Sequence, residues 1–332
     1  MSSILVVGVG SIGRRHIENF SKHFDNIDIA EINDERIFNA KKDYNIRNSF
    51  NNYINALENE RYDAIAITTP PHIHLDIAQA AVKKDVNLFI EKPLGISSVG
   101  WESLAQDVKQ KKLIGFVAYC HRFIPYTKKL KNIIDSEALG KPLHANIRWG
   151  SYLPDWHPYE DYRSFYMAKK DQGGGALLDE SHGIDLLRYI LGEPIQISAM
   201  LGNVSDLEIT SDDTAFLTLK MERGMLAHIN FDLVSRAPRI NFEIICSEGT
   251  IIWDRVENEL KIFDISKKKW ETEKFTKDDL MSMYPIQAKH FFDCLFNNEK
   301  PMITINDSIN TQKVIDACFK SHYEEIHQKI SF

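Results

Sequence analysis

The chain has few cysteines, and none of them is spaced as a disulfide framework or a zinc site requires. Four cysteines are spread over 332 residues, without a C-x-x-C pair and without histidines clustered as in zinc fingers. Neither a disulfide scaffold nor a structural zinc is therefore indicated. We expect a protein of the reducing cytoplasm that holds no metal.

Long apolar runs and extended basic segments are also lacking. No stretch reaches the roughly 18 apolar residues of a membrane span, and the first residues lead into a strand without a basic leader. The net charge is −7, and the one short basic run is at 267–269. We expect neither a membrane nor a nucleic-acid partner. A hydrophobic content of 43% over this length is enough for two domains with real cores.

The most informative stretch lies at the N-terminus, where glycines spaced G-x-G-x-x-G follow a strand. The apolar run 4–7 predicts a buried parallel strand, and Gly8, Gly10 and Gly13 come directly after it. The first glycine permits a tight turn, the second lets a pyrophosphate approach the backbone, and the third brings helix and strand close together. The helix that starts near Ser11 directs its N–H groups and its positive dipole end at phosphates. We predict a dinucleotide site, with a strand-turn-helix that binds no ligand as the alternative.

A second strand, predicted at 27–31, ends in an acidic residue. Glu31 lies about 20 residues beyond the glycines, where dinucleotide folds place the carboxylate that binds the ribose hydroxyls. This carboxylate would repel a 2′-phosphate, so NAD is favoured over NADP. Arg14 and Arg36 would weaken that preference if they lay nearby.

Another buried strand is predicted at 63–69, and it stops at two prolines. Because Pro70 and Pro71 cannot donate to a strand ladder, the chain leaves the sheet at the edge where such folds bind ligands. His72 and His74 then open a helix. Residues two apart do not share a helix face, so we favour polar contacts at the helix start or with a cofactor over a metal pair.

The next predicted strand, 86–90, delivers Glu91-Lys92-Pro93. A lysine at the carboxyl end of a parallel strand points into the same crevice as the glycine turn. Such an ammonium group suits proton transfer between an alcohol and a ketone. The alternative is a surface lysine before a turn.

The repeating strand-helix-strand pattern predicts a Rossmann-type parallel sheet over residues 1–122, and the pattern changes thereafter. Residues 123–332 predict an α+β domain on a mostly antiparallel open sheet, with helices on one face. The other face is a natural oligomer interface, and the last helices are expected to return to the first domain. The fold class is thus α/β plus α+β. The strands predicted in the second domain are 144–149, 195–201, 214–221, 225–233, 239–246, 250–254 and 259–263.

A second chemical stretch lies inside this second domain. Three glycines at 173–175 precede Asp179 and His182, which would share a face if both were on one helix. Asp179 would then orient or charge the imidazole, and the glycines would let the backbone approach a ligand. A structural histidine is the alternative.

A loop dense in aromatic and charged residues, 152–163, precedes this stretch. Flat apolar faces mixed with hydrogen-bonding groups are typical of sugar sites. The candidate substrate contacts there are Trp156, His157, Tyr162 and Arg163, and Arg163 would suit a carboxylate or phosphate. A packed interdomain loop without a ligand is the alternative.

Together these stretches resemble the Gfo/Idh/MocA family of sugar and inositol oxidoreductases, in the expected order over nearly the whole chain. The motifs that carry the resemblance are Gly8 to Gly13, Thr69-Pro70-Pro71-His72-Ile73-His74, Glu91-Lys92-Pro93, Arg122-Phe123-Ile124-Pro125, Gly173 to His182 and Asn298-Glu299-Lys300-Pro301.

The resemblance implies a nicotinamide cofactor and a homodimer or homotetramer built through the open sheet face. It also implies that Lys92, His182 and Asp179 are catalytic and contact the substrate. We assign cofactor contacts to Gly8, Gly10, Ser11, Ile12, Gly13, Glu31, Thr69, Pro70, His74, Glu91 and Lys92.

The predicted reaction is reversible hydride transfer between NAD and a hydroxyl-bearing carbon of a sugar, inositol or nucleotide sugar. The loop 153–163 is similar to a branch associated with bacterial surface-sugar gene clusters, which points to surface-sugar biosynthesis. Two alternatives stay open. One is an NAD-retaining enzyme that processes glycosides through transient oxidation, and the other is a regulatory protein that binds NAD or a sugar without chemistry.

Overall fold

The computed structural model describes residues 1–156, 158 and 160–332. The chain divides into two compact units, Met1–Cys120 with Ser282–Ile309, and His121–Met281 with Asn310–Phe332. The predicted domain border after residue 122 remains a prediction. Within the described ranges, none of the helices combines the length and the apolar character needed to cross a membrane.

Up to residue 120, the first unit alternates between strands and helices. Its elements are β1 (Ser3–Val7), α1 (Ser11–Phe20), β2 (Asn26–Ala30), α2 (Asp34–Asp43), β3 (Ser49–Phe50), α3 (Tyr53–Asn59), β4 (Ala64–Ile67), α4 (His74–Lys83), β5 (Asn87–Ile90), α5 (Trp101–Gln110) and β6 (Gly115–Val117). The six strands form a parallel sheet in the order β3-β2-β1-β4-β5-β6. This confirms the predicted Rossmann sheet. The short strand β3 was not predicted, since two residues carry no alternating pattern.

The second unit is built mainly from long strands. Its elements before residue 282 are α6 (Pro125–Asp135), β7 (Pro142–Tyr152), α7 (Ala176–Asp179), α8 (His182–Leu191), β8 (Pro194–Gly202), β9 (Thr214–Met221), β10 (Leu226–Asp232), β11 (Val234–Cys246), β12 (Gly249–Asp254), β13 (Glu259–Asp264), β14 (Lys269–Lys274) and α9 (Lys277–Met281). Three further elements complete the chain, α10 (Met283–Phe296), α11 (Ile305–Glu324) and β15 (Gln328–Lys329).

These strands form one mixed sheet in the order β14-β13-β12-β11-β7-β10-β9-β8-β15. Neighbouring strands are antiparallel except for β7 and β10, which run parallel. The predicted α+β class with a mostly antiparallel sheet is confirmed. Strand β14 was not predicted, because all six of its residues are exposed and it therefore lacks a buried face to pattern.

The two faces of this sheet differ in what they bury. Ile147 and Trp149 of β7 are buried, whereas His144 and Arg148 on the alternate positions are exposed. Helix α8 packs on β7, and α7 packs on β9 and β10, so one face is covered by helices. The opposite face is the open face, and it carries exposed apolar side chains such as Met200 and Phe216.

Helix α10 returns to the first unit and closes its aromatic core. The Phe89 ring lies 5.2 Å from the rings of both Phe20 on α1 and Phe291 on α10. Such edge-on aromatic pairs add to the free energy of burial. Rings from α1, β5 and α10 therefore line the interior of the first unit and give it a low-dielectric environment.

Candidate functional site

The glycine turn after β1 has the geometry that phosphate binding requires. Gly8 has a φ of +90°, and a Cβ there would lie 2.9 Å from the Thr68 carbonyl oxygen. A Cβ on Gly13 would lie only 2.1 Å from the Gly8 oxygen, so this glycine lets α1 approach β1. In contrast, a Cβ on Gly10 would meet no atom of the described residues within 4 Å. The open side of the turn is therefore at Gly10, at the N-terminus of α1.

The start of α1 has room for an anion. Its first turn contains no acidic residue, Ser11 is exposed, and Ile12 is half-buried. The Thr69 hydroxyl, on the loop after β4, is buried without a hydrogen-bond partner among the described residues. A buried hydroxyl without a partner indicates a group that is completed by a ligand. These features fit a dinucleotide, with Pro70 half-buried beside Thr69.

Glu31 follows β2 and is nearly enclosed. One carboxylate oxygen accepts the Val9 N–H at 2.7 Å, and the other accepts the N–H groups of Ile32 and Asn33 at 2.9 and 3.1 Å. The carboxylate thereby joins the glycine turn to the loop after β2. Because an ionised carboxylate has about four acceptor positions, one remains for a ribose hydroxyl, and that contact stays a prediction.

His74 is fully buried and contacts both the loop after β4 and the loop after β5. Its Nε2 lies 2.7 Å from the Thr69 carbonyl oxygen, and its Nδ1 lies 3.2 Å from that of Pro93. Burial lowers the pKa of His74, so the ring is neutral near pH 7 and donates to only one side of this contact set. The side chain has no exposed surface and joins the loop after β4 to the loop after β5. The predicted cofactor contact of His74 stays a prediction.

Lys92 comes two residues after β5 and is half-buried. Its backbone N–H donates to the Glu91 carboxylate at 3.0 Å. The other Glu91 oxygen lies 2.6 Å from Nε2 of His16, a buried residue of α1 that sequence reasoning did not single out. Glu91 thus has two partners within the protein, and its predicted cofactor contact stays a prediction.

The predicted acid and histidine of the second unit are on two helices instead of one. Helix α7 ends at Asp179 and α8 begins at His182, with residues 180–181 forming the break. Both side chains are buried. Asp179 accepts a hydrogen bond from the Tyr166 hydroxyl at 2.7 Å, a contact that the sequence did not indicate. The expected orientation of His182 by Asp179 stays a prediction.

Gly175, the last of the three glycines before α7, is required by the protein's own packing. It has a φ of +116°, and a Cβ there would lie 2.3 Å from the Asp212 carboxylate. Asp212 in turn accepts the Leu177 N–H at 2.9 Å and so caps the first turn of α7. The expected approach of a ligand to these glycines stays a prediction.

Rings surround His182 within the second unit. The His121 ring centroid lies 4.3 Å from that of His182, and Trp149 stacks on His182 at 5.9 Å. Next to His121, the buried Arg122 guanidinium binds both carboxylate oxygens of Asp185 on α8, at 2.6 and 2.9 Å. This bidentate pair holds the segment that carries His121 against the helix that begins with His182.

The aromatic loop is anchored by its own contacts. Trp156 donates from its indole nitrogen to the Ser151 hydroxyl at 2.7 Å, and the Tyr162 hydroxyl accepts the Glu208 N–H at 3.2 Å. Arg163 is exposed and forms ion pairs with Glu208 and Asp161. His157 lies outside the described residues. Substrate contact by this loop therefore remains a prediction.

Comparison with known proteins identifies the family. Residues 2–119 match the model of an oxidoreductase family with an NAD-binding Rossmann fold, and residues 127–252 match the Gfo/Idh/MocA C-terminal domain. The two matches together span most of the chain. The chain belongs to the Gfo/Idh/MocA family and is an NAD-binding oxidoreductase, which confirms the predicted family, enzyme class and cofactor.

The individual relatives that match this chain have low sequence identity to it. The scyllo-inositol 2-dehydrogenase (NAD(+)) of Bacillus subtilis is 24% identical over 94% of this chain and 92% of its own length. The levoglucosan dehydrogenase of Pseudarthrobacter phenanthrenivorans is 27% identical over 68% of this chain and 64% of its own length. A solved levoglucosan dehydrogenase in complex with NADH and levoglucosan has a TM-score of 0.88, with 21% identity and 100% of each chain covered. That structural likeness shows the fold.

Some relatives are matched over less than two thirds of their own length. The match covers 65% of the length of the oxidoreductase YrbE of Bacillus subtilis and 64% of the length of the levoglucosan dehydrogenase. The substrate and the residue roles of this chain are therefore treated as proposals.

Replacing Gly10 with alanine is expected to leave the fold intact and to weaken NADH binding at least about tenfold, because the methyl group enters space needed by the pyrophosphate. Gly13→Ala is the contrasting variant. Its Cβ would collide with the Gly8 carbonyl oxygen, so it should lower the free energy of unfolding by about 1–3 kcal/mol. NADH fluorescence titration and thermal unfolding measure both effects. Wild-type NADH affinity in Gly10→Ala would contradict the assignment.

The stability of the cap on α7 is expected to depend on pH. Burial raises the pKa of Asp212 from 3.8 to about 6. The folded protein therefore holds a proton between about pH 4 and pH 6 that the unfolded chain releases, so this group destabilises the fold as pH rises through that window. As pH falls from 7 to 4, the free energy of unfolding of the wild type should rise relative to that of Asp212→Asn. The rise should be about 1.4 kcal/mol for each unit by which folding raises the pKa of Asp212. Urea unfolding at several pH values tests this, and parallel pH profiles for the two proteins would refute it.

Proposed function

We propose that this protein transfers a hydride between NAD and a hydroxyl-bearing ring carbon of a sugar, an inositol or a nucleotide sugar. The observation that carries the proposal is the common edge of β1, β4 and β5. The open glycine turn, the Thr69 hydroxyl and Lys92 each follow one of these three adjacent parallel strands. A cofactor laid along the glycine turn would thus have a lysine at the same edge.

The substrate class is supported by the relatives. They include inositol and levoglucosan dehydrogenases, and a structure of the WlbA dehydrogenase with NADH and UDP-GlcNAcA has a TM-score of 0.86. All of these names refer to polyhydroxylated ring compounds. A role in surface-sugar biosynthesis and a cytoplasmic location complete the proposal.

In the proposed reaction, NAD supplies the hydride acceptor when it is bound. One of the two groups Lys92 and His182 takes the proton of the substrate hydroxyl, while the other donates a hydrogen bond to the developing oxyanion. Asp179, held by Tyr166, would set the charge and orientation of His182.

Replacing Lys92 with alanine is expected to lower kcat by about 10²–10⁴-fold, because a positioned proton-transfer group contributes that much. NADH binding should change little, since the glycine turn and Thr69 are untouched. The assay follows reduced nicotinamide absorbance with a panel of inositols, levoglucosan and nucleotide sugars. Lys84→Ala, on an exposed position after α4, is the control and should keep full activity.

Unchanged turnover in Lys92→Ala would overturn the catalytic role of the lysine. If the wild type is silent with every substrate but is purified with tightly held NAD, the proposal gives way to internal redox chemistry or to binding without chemistry. His182→Asn is likewise expected to lose activity with the substrates that Lys92→Ala no longer converts, because both residues are proposed to be catalytic.

We also propose that the open face of the nine-stranded sheet joins copies of this chain into a dimer or tetramer. Met200 on β8 and Phe216 on β9 are direct cross-strand neighbours and are 76% and 48% exposed, and Leu226 on β10 is 55% exposed. Apolar side chains clustered on an open sheet face favour self-association.

Phe216→Glu is expected to dissociate this assembly, because a charge would have to be buried without a partner. Phe38→Glu, on an exposed position of α2, is the matched control and should leave the mass unchanged. Sedimentation velocity measures both. A monomeric wild type, or an assembly that resists Phe216→Glu, would rule out this interface.

A further inference from the structure

A histidine and a glutamate form a buried pair directly behind Lys92. Nε2 of His16 lies 2.6 Å from one oxygen of Glu91, and the side chains are only 1% and 10% exposed. The second Glu91 oxygen accepts the backbone N–H of Lys92 at 3.0 Å. The contacts therefore run in sequence from α1 through Glu91 to the main chain of the lysine.

The surroundings of this pair are aromatic. Phe20 stacks on the His16 ring at 5.6 Å, Phe89 meets it edge-on at 4.8 Å, and Tyr284 lies at 6.5 Å. Hydrogen bonds to a charged group in such a low-dielectric site are strong, and breaking one leaves a costly unpaired charge. The hydrogen bond between His16 and Glu91 therefore holds both side chains in one conformation.

The position of the ring proton follows from the contacts. Nδ1 of His16 is buried and has no hydrogen-bond partner among the residues that the structure describes. A proton on Nδ1 would be an unsatisfied buried donor, so the N–H that donates is placed on Nε2. His16 therefore donates to one oxygen of Glu91, and the other oxygen accepts from the Lys92 backbone.

We propose that His16 and Glu91 are positioning residues that hold the main chain of Lys92, so that its ammonium group meets the substrate hydroxyl. This rests on the proposed role of Lys92 in proton transfer. The same helix that presents its N-terminus at Gly10 carries His16, so the cofactor turn and the lysine are held by one rigid element. Nothing in the sequence around His16 indicated this role, because Glu91 lies 75 residues further along the chain.

His16→Phe is expected to lower kcat at least about tenfold, because a small displacement of a proton-transfer group has effects of that order or more. The NADH dissociation constant and the KM for the sugar should stay within about threefold, since neither contact is removed. His16→Gln, which can place an amide donor near the position of Nε2, should recover most of the lost kcat. His23→Phe, just beyond α1, is the matched control and should behave as the wild type.

Glu91→Gln provides a second test, independent of ring size. One side of its amide can accept a hydrogen bond, but the other carries a donor, so it cannot accept from both His16 and Lys92. We expect a loss of kcat similar to that of His16→Phe. This variant also keeps the test decisive if His16→Phe unfolds.

A double-mutant cycle separates positioning from an independent effect. If His16 acts only through Lys92, adding His16→Phe to Lys92→Ala should not lower the residual single-turnover rate further. Multiplicative losses, an unchanged kcat in His16→Phe, or losses that track NADH affinity would each overturn the inference. If Lys92→Ala alone retains full activity, the catalytic role of Lys92 fails instead, and if the wild type converts no substrate of the panel, the proposed function fails, so the three failures are distinguished.

Discussion

The candidate site depends on the parallel register of three neighbouring strands. Val7 of β1 pairs with Ile67 of β4, and Ile67 pairs with Ile90 of β5. The next residue on each strand therefore leaves the sheet at the same level. Because the strands are buried on both faces and consist of apolar side chains, polar chemistry is displaced to their carboxyl ends. The glycine turn, the Thr69 loop and the lysine segment share one edge for this reason.

Buried carboxylates of the first unit reinforce this arrangement through hydrogen bonds within the protein. Glu31 accepts three backbone N–H groups, and Glu91 lies between His16 and the Lys92 backbone. Removing one partner of such a pair leaves an uncompensated charge, which typically costs about 3–5 kcal/mol. These pairs therefore restrict the segments around the site to one conformation, which orientation-dependent chemistry requires.

Much of the fold could be predicted from local patterns. Strand β9 has the predicted bounds, and Gly8 and Gly13 have the turn geometry and the close helix–strand approach that their spacing indicated. Structural features with a weak local sequence signal were not predicted. Strand β14 has no buried face, and the break between α7 and α8 falls at Glu180-Ser181, where neither a glycine nor a proline marks the end of a helix.

Local patterns in the sequence were enough to predict most strands and helices in their order, the two sheet classes, and the candidate residues at the strand ends. Those features follow from neighbours in the chain, where apolar periodicity, glycine and proline act directly on the backbone. Which polar groups meet became evident only from the folded chain, as for His16 with Glu91 or Arg122 with Asp185, which is 63 residues away. The internal hydrogen bonds of His74 and Glu91 likewise had no signal in the sequence. Pairing across such distances depends on how helices pack on sheets, and a local pattern does not record it.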